Sequence, residues 1–313
     1  MLELYGQKKN TKFSSTLAFE SLERTRNFDM ITNKVSSIFN DAQETYYIPA
    51  GRSMLTLLAN SRSIIKSEDD NVNLDLITKR FMLQIDTLAG AFSEGIGGVH
   101  KRYPGSESNL DINKISKLLI GFLKGDFRYE NGREYFIINE DSRIPINFAS
   151  SGQQEILWLL NQLYVLLLKN EKVFVIIEEP EAHLYPCLQK DVIEFISYFM
   201  NKTESTVFIT THSPYILTSI NTLYCAGKTV REFPQRLDAV SRIVGEHVAI
   251  FPETLSAFKI EPEGNVIDLC DNEMDEINTE LIDEVSDLVS QKYMDLYWLQ
   301  ERERDVPNGE KEE

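Results

Sequence analysis

Cysteine is almost absent from this chain: Cys187, Cys225 and Cys270 are the whole supply in 313 residues. An odd number at such wide spacing excludes a disulfide framework and a cysteine-built zinc site, and it fits a reducing compartment. Histidine is scarce as well, with four residues. Long apolar runs are missing: no 18 uncharged apolar residues stand together, and the opening MLELYGQKKNTKF has no apolar stretch of signal-peptide length. The expectation is a cytoplasmic protein without a membrane span.

Positive charge is also in short supply, with 32 Lys and Arg against 49 Asp and Glu, a net of −17. Much of the excess is local. Residues 261–313 hold 18 acidic and 4 basic side chains, so the preceding body is close to neutral. A broad electrostatic grip on nucleic acid or an anionic membrane is therefore unsupported, although a local basic groove stays open. The rest is ordinary for a globular chain, with 42% hydrophobic and 26% charged residues. The length suits one large domain with an insertion, or two smaller ones.

The order of elements is more informative. YYIPA at 46–50 reads as a short strand closed by proline. Helical spacing follows at Met54, Leu57, Leu58 and Ile65, and again at Leu76, Phe81, Leu83 and Leu88, broken by GIGG at 95–98 and by YPGSES. The period then switches to two over FRYENGREYFII, where Asn131-Gly132 is the pair that a two-residue type I′ hairpin demands. Next, Ser150-Ser151-Gly152 precede a strongly apolar helix reaching about Leu168, buried on most of its circumference. Two apolar strands follow, Val173–Ile177 and Thr206–Thr211, both expected to be buried on both faces. A helical stripe of Leu188, Val192, Ile196 and Phe199 lies between them. Strand, helix, strand at that separation implies a crossover and a parallel sheet.

Ligands of such sheets sit beyond the carboxyl ends of the strands. Glu178 and Glu179 follow the first strand and His212 follows the second. Adjacent carboxylates there can divide two jobs, one holding a hydrated Mg²⁺ and the other orienting and deprotonating a water. His212 is placed to hydrogen-bond a terminal phosphate, with Ser213-Pro214 behind it as N-cap and first turn. Plainer readings exist for each: a solvated turn for the acids, a simple N-cap for Ser150-Ser151-Gly152, structural roles for His100 and His247. Arg52 either reaches phosphate or pairs with an acid. Glu181 and His183 lack further ligands at metal spacing.

IIEEPEAHLYP resembles the Walker B and D-loop segment of ABC-type ATPases, in the AAA-labelled branch similar to overcoming-lysogenization-defect proteins and SMC heads. ITTHSPYIL resembles their switch-histidine segment, ASSGQQEIL their LSGGQ-type signature, and YYIPAGRS an earlier segment of the same proteins. The close resemblance covers roughly 125–230, and the three motifs stand in the family's order. It implies ATP and Mg²⁺ as cofactors, Glu178 as the Mg²⁺ ligand, Glu179 as catalytic base and His212 as γ-phosphate sensor. It further implies that Ser150, Ser151, Gly152 and Gln153 contact a nucleotide held by the opposite subunit. The Ser hydroxyls, free N–H groups and helix N-terminus at that signature form an anion site.

One departure is large. The family's phosphate loop, Gly-x-x-x-x-Gly-Lys-Ser/Thr, does not occur in these residues. TLYCAGKT at 222–229 has Thr222 where the first glycine belongs, and GIGGVH ends on His100 instead of glycine. The sequence is expected to be a truncated or mis-started ATPase, one half of a split ATPase, or an inactive descendant.

The resulting expectation is an α/β, P-loop NTPase-like fold of ABC ATPase type with a parallel-sheet core and a helical insertion, incomplete at its N-terminus. Its divisions are a remnant of the N-terminal lobe (1–53), a helical insertion (54–125), the core with signature, Walker B and switch histidine (126–250), and an acidic segment with an amphipathic helix (251–313). In that last part Met274, Ile277, Leu281, Val285, Leu288 and Leu296 form a stripe, expected to dock on the core. The resemblance implies a homodimer, or a hetero-partner carrying the phosphate loop, coupled to a DNA-related or antiphage-defence effector. The alternative is a non-hydrolysing regulatory subunit that completes a partner's ATP site.

Overall fold

In the computed structural model, residues 43–57, 76–106, 110–271, 276–278 and 284–304 are described. All but Gln43 and Glu44 belong to one compact unit, Thr45–Glu313. Met1 to Ala42 and residues 58–75, with Leu58 and Ile65, lie outside the described residues.

A sheet carries the acids and the histidine. Its strands are β1 (Glu44–Ile48), β5 (Val173–Glu178) and β6 (Thr206–Thr210), in the order β1-β5-β6. The pair β5/β6 is parallel, with Glu178 opposite Thr210, as the crossover through the intervening helix α5 (Pro186–Thr203) requires. Val192, Ile196 and Phe199 of that helix are buried together with Val173, Val175 and Ile177 on one face of the sheet. The expectation that both strands are buried on both faces does not hold. Phe174 and Ile176 are half-buried, and Phe208 is 53% exposed, because no described element covers that second face.

Arg52–Leu57 forms a short helix, α1, and Leu76–Ala89 a second, α2. Turns of 3₁₀ helix at Gly90–Phe92 and Ile96–Arg102 lead to α3, Ile112–Leu123, which Asp111 caps by accepting the Lys114 N–H. Then β2 (Asp126–Glu130) and β3 (Arg133–Asn139) pair antiparallel, with Glu130 opposite Arg133. Asn131 and Gly132 both take positive φ, 51° and 78°, the turn that an Asn-Gly pair favours because glycine has no Cβ and asparagine tolerates the left-handed region. A third strand, β4 (Ser142–Pro145), extends this sheet and was not legible in the sequence. Phe127 and Phe136 face each other across β2/β3, and Phe127 meets Phe92 and Trp158 edge-on at 5.4 and 5.3 Å.

The described core is built around α4, Ser151–Lys169, in which every residue from Gln154 to Leu168 is buried. Its run ILWLLNQLYVLLL has no polar face because it is enclosed all round. Phe81, Ile85, Leu119 and Leu123 from α2 and α3 join the same core as Trp158, Val175 and Phe199.

Beyond β6 come α6 (Pro214–Glu232) and α7 (Leu237–Val244). The TLYCAGKT stretch lies inside α6. There Gly227 admits the backbone of Ile250, which a Cβ would strike, so that glycine serves helix packing. Two small antiparallel ladders follow, β7/β8 (Phe258–Ile260, Val266–Asp268) and β9/β10 (Cys270–Asp271, Glu276–Ile277), before α8, Glu284–Arg304.

The C-terminal stripe is corrected here. Ile277 is buried, but in a strand, whereas Leu288 and Leu296 on α8 are 53% and 60% exposed. Apolar side chains at 288, 289, 293, 294 and 296–299 are distributed around the helix, so it offers no single face to dock. Met274 and Leu281, and the side chain of Val285, lie outside what is described. Among the described residues no helix is long and apolar enough to cross a membrane.

Candidate functional site

The acid pair sits where β5 ends. Glu178 is its last residue, and its Oε2 accepts the Ala50 N–H at 3.0 Å, tying it to the turn after β1. Glu179 leaves the strand with φ of +41°, a region that residues with a Cβ mostly avoid. Its N–H donates to the Thr210 carbonyl of β6 at 2.9 Å. The side chain emerges 43% exposed, and its Oε1 lies 3.9 Å from Nε2 of His212, whose imidazole is 90% exposed. The structure thus brings Glu179 and His212 side by side at the carboxyl ends of paired parallel strands, with Glu178 adjacent.

Two residues fix this arrangement. Glu181, in the turn after the acids, accepts the Thr211 hydroxyl at 2.7 Å and the His212 N–H at 2.8 Å through Oε1. It holds the loop that carries the imidazole. Arg52 does the corresponding work for the acids. Its side chain is fully buried; Nη1 donates to the carbonyls of Pro49 (2.8 Å) and Glu178 (2.7 Å), Nη2 to that of Glu179 (3.0 Å), and Nε to that of Glu155 (2.8 Å). The Glu155 carboxylate caps α1 in return, accepting the Arg52 and Ser53 N–H groups at 3.0 Å each, and stands 3.4 Å from Nε of Arg52.

Of the two sequence readings of Arg52, pairing with an acid is the observed one. Burial pulls its pKa below the ordinary arginine value, opposed chiefly by the charge of Glu155 and then by Glu181, Glu179 and Glu178. Arginine stays protonated even so. Glu155 and Glu181 were missed as organisers because a buried acid in an apolar helix, or one past a strand, has no spacing that names its partner.

Ser150 is the N-cap of α4. Its Oγ accepts the Gln153 N–H at 3.3 Å, and Oε1 of Gln153 accepts the Ser150 N–H at 3.0 Å, a reciprocal capping box. Nε2 of Gln153 also donates to the Leu123 carbonyl at 2.6 Å. The polar groups of Ser150 and Gln153 are engaged within the chain, while Ser151 is exposed. Gly152 lies against the turn that follows the acids, since a Cβ there would stand 2.9 Å from the His183 carbonyl oxygen.

No group of three or more His, Cys, Asp or Glu side chains able to hold a metal occurs among the described residues. Glu178 and Glu179 fit the sparser donor set of Mg²⁺ with ATP, in which one or two carboxylates act beside phosphates and waters.

Residues 3–217 match the family model for the AAA ATPase domain. The chain belongs to that family. The match contains the β1 turn, the capped start of α4, the acid pair and His212. The α/β architecture with its parallel sheet is accordingly of P-loop NTPase type, and ATP with Mg²⁺ is the general chemistry of AAA ATPases. No curated protein matches the chain.

Proposed function

We propose that this AAA ATPase domain hydrolyses ATP at the end of β5 and β6, in an ABC-type arrangement, and uses closing and opening of a dimer to drive an effector. Glu179 is the base that takes the proton of the attacking water, and His212 holds the γ-phosphate oxygen. Glu178 holds Mg²⁺, which when bound neutralises developing charge on the phosphates. The observation that carries the reading is the 3.9 Å approach of Glu179 to His212 at paired strand ends, with Glu179 held in a left-handed backbone.

Ser150–Gln153 present the N-terminus of a 19-residue helix, which suits contact with a nucleotide on an opposite subunit. Phe148 and Tyr185, neighbours in sequence of that turn and of the acid turn, are 75% and 82% exposed, as side chains at a subunit contact would be before it closes. No Gly-x-x-x-x-Gly-Lys-Ser/Thr run occurs in the 313 residues, so this reading takes the phosphate loop from polypeptide outside them, in a longer form of this chain that pairs with itself or in a hetero-partner. That same feature favours a second reading, in which the chain does not hydrolyse ATP and completes a partner's site through Ser150–Gln153. A DNA-related or antiphage-defence effector is the setting that the motif resemblance suggests.

The test is Mg·ATP binding and turnover, measured for the chain alone and for its complex with partner chains purified from its source. Turnover by the complex that disappears in Glu179→Gln, while binding persists, is expected. Turnover indifferent to Glu179→Gln would remove the proposed base. Tight ATP binding by the chain alone would overturn the account of the phosphate loop.

A further inference from the structure

Glu179 is one of seven described residues other than glycine that take a positive φ. A positive φ on a glutamate is costly, and such a conformation persists only when its surroundings over-determine it. Here both flanking amides are held. The N–H of Glu179 is held by β6 through the Thr210 carbonyl at 2.9 Å, and its C=O by the Nη2 of Arg52 at 3.0 Å. The preceding carbonyl, of Glu178, is held by Nη1 of the same guanidinium at 2.7 Å. With both flanking peptide units held, the direction of the Glu179 Cα–Cβ bond is set.

The grip depends on a planar fork with donors on three nitrogens. Arg52 reaches four carbonyls, of Pro49, Glu155, Glu178 and Glu179, and is wholly shielded from water. A lysine ammonium, with three donors on a single atom, cannot span that set. Glu155 supplies both the balancing charge and the aim, accepting the Arg52 and Ser53 N–H groups while its own carbonyl takes the Nε proton. Glu155 is two residues beyond Gln153, in the first turns of α4. Thr56 extends the contact, donating to the Gln154 carbonyl at 3.3 Å and accepting from the Trp158 indole at 3.1 Å.

We propose that Arg52, braced by Glu155, is a positioning residue that sets the backbone of Glu179 and hence where its Cα–Cβ bond points, and ties it to the start of α4. It touches no reacting atom. The consequence for catalysis rests on the reading of Glu179 as base. The start of α4 thus touches the acid turn twice, through this guanidinium and through Gly152 against the His183 carbonyl.

The experiment is amide hydrogen exchange on the full chain without nucleotide, comparing wild type with Arg52→Lys and with Glu155→Gln. It is paired with the carbon chemical shifts of Glu179, which report its φ. Expected is exchange faster by about tenfold or more in the turn Glu179–Leu184, where Ala182 N–H donates to the Glu179 carbonyl, with β5 and residues 156–168 of α4 protected as before. The Glu179 shifts leave left-handed values in the same variants. Unchanged exchange and shifts at 179–184 would overturn the proposal. So would acceleration spread evenly over α4 and β5, which is the mark of a general fold support. If Arg52→Lys does not fold, Glu155→Gln, which keeps size and one acceptor, decides alone by the same criteria. Because no nucleotide is used, a failure of the ATPase reading, seen as turnover indifferent to Glu179→Gln, is separate from either result.

Discussion

Oε1 of Glu179 and Nε2 of His212 stand 3.9 Å apart at the carboxyl ends of two hydrogen-bonded parallel strands. That is too long for a direct hydrogen bond and short enough for both groups to reach one small oxygen ligand. A pair evolved only for mutual attraction would close the gap. His212 also owes its position to Glu181 through its backbone N–H, which leaves the ring free to meet a ligand.

The first prediction follows. In the ATP-hydrolysing assembly, Glu179→Gln and His212→Ala each lower kcat by about 10²- to 10⁴-fold, the range of a lost acid-base or charge-stabilising group. Residues that act as a unit are not additive, so the double variant is expected to be little worse than the poorer single one. Single-turnover hydrolysis with radiolabelled ATP measures all three. Multiplicative losses would show that the two groups act separately.

A second prediction separates the two jobs of the α4 turn. Ser150→Ala removes the acceptor of the Gln153 N–H and should cost about 1 kcal/mol by urea unfolding. Ser151 is exposed at the first turn, so Ser151→Ala stays within about 0.5 kcal/mol. Gly152→Ala forces a Cβ to within 2.9 Å of the His183 carbonyl and should cost about 1–3 kcal/mol. If the turn meets a nucleotide across a dimer, Ser151→Ala lowers turnover despite its small effect on stability.

Much of this was legible in the chain because the signals were periodic. The two-residue turn at Asn131-Gly132, the all-round apolar α4 and the β5-α5-β6 crossover each followed from spacing alone. The acids at a strand end were legible because a run of apolar residues that stops on two carboxylates has few uses. What escaped was set by tertiary contact. Nothing local marks Arg52 as the holder of four carbonyls from three separate segments, and nothing local marks Glu155, inside an apolar helix, as its counter-charge. Phe208 reads as core by composition, yet its face of the sheet is left open among the described elements. The α8 stripe failed for a simpler reason, since Ile277 lies in a strand and Leu288 in a helix.

A third prediction concerns the core. Phe127 is fully buried and packs edge-on against Phe92, Phe136 and Trp158 at 5.3–6.2 Å between ring centres. Truncation leaves a cavity between two elements that cannot collapse together, so Phe127→Ala should cost about 3–5 kcal/mol. Leu83 was expected on the apolar stripe of its helix but is 56% exposed, and Leu83→Ala should change stability by less than about 0.5 kcal/mol. Equilibrium denaturation of both variants checks the contrast. Equal losses would place Leu83 in the core after all.

The last prediction is about alkaline stability. Tyr164 lies in α4 with its hydroxyl 3.2 Å from Oγ of Ser116, and burial pushes its pKa above the ordinary tyrosine value, with the Ser116 hydrogen bond pulling weakly the other way. A phenol that holds its proton longer when folded than when unfolded favours the folded state only while both forms are protonated. That contribution is therefore full below the ordinary tyrosine range, near pH 10, and is lost as pH climbs through the raised value. Tyr198 is shifted the same way, mainly by burial and then by the charges of Asp111 and Glu246, and adds to the loss. Thermal unfolding between pH 8 and about pH 11 should show the melting temperature falling above about pH 10 in the wild type. Tyr164→Phe should start lower at pH 8 by about 1 kcal/mol, because the Ser116 hydroxyl loses its partner, and then fall less steeply. Parallel curves for the two proteins would show that Tyr164 ionises no later in the folded chain than in the unfolded one.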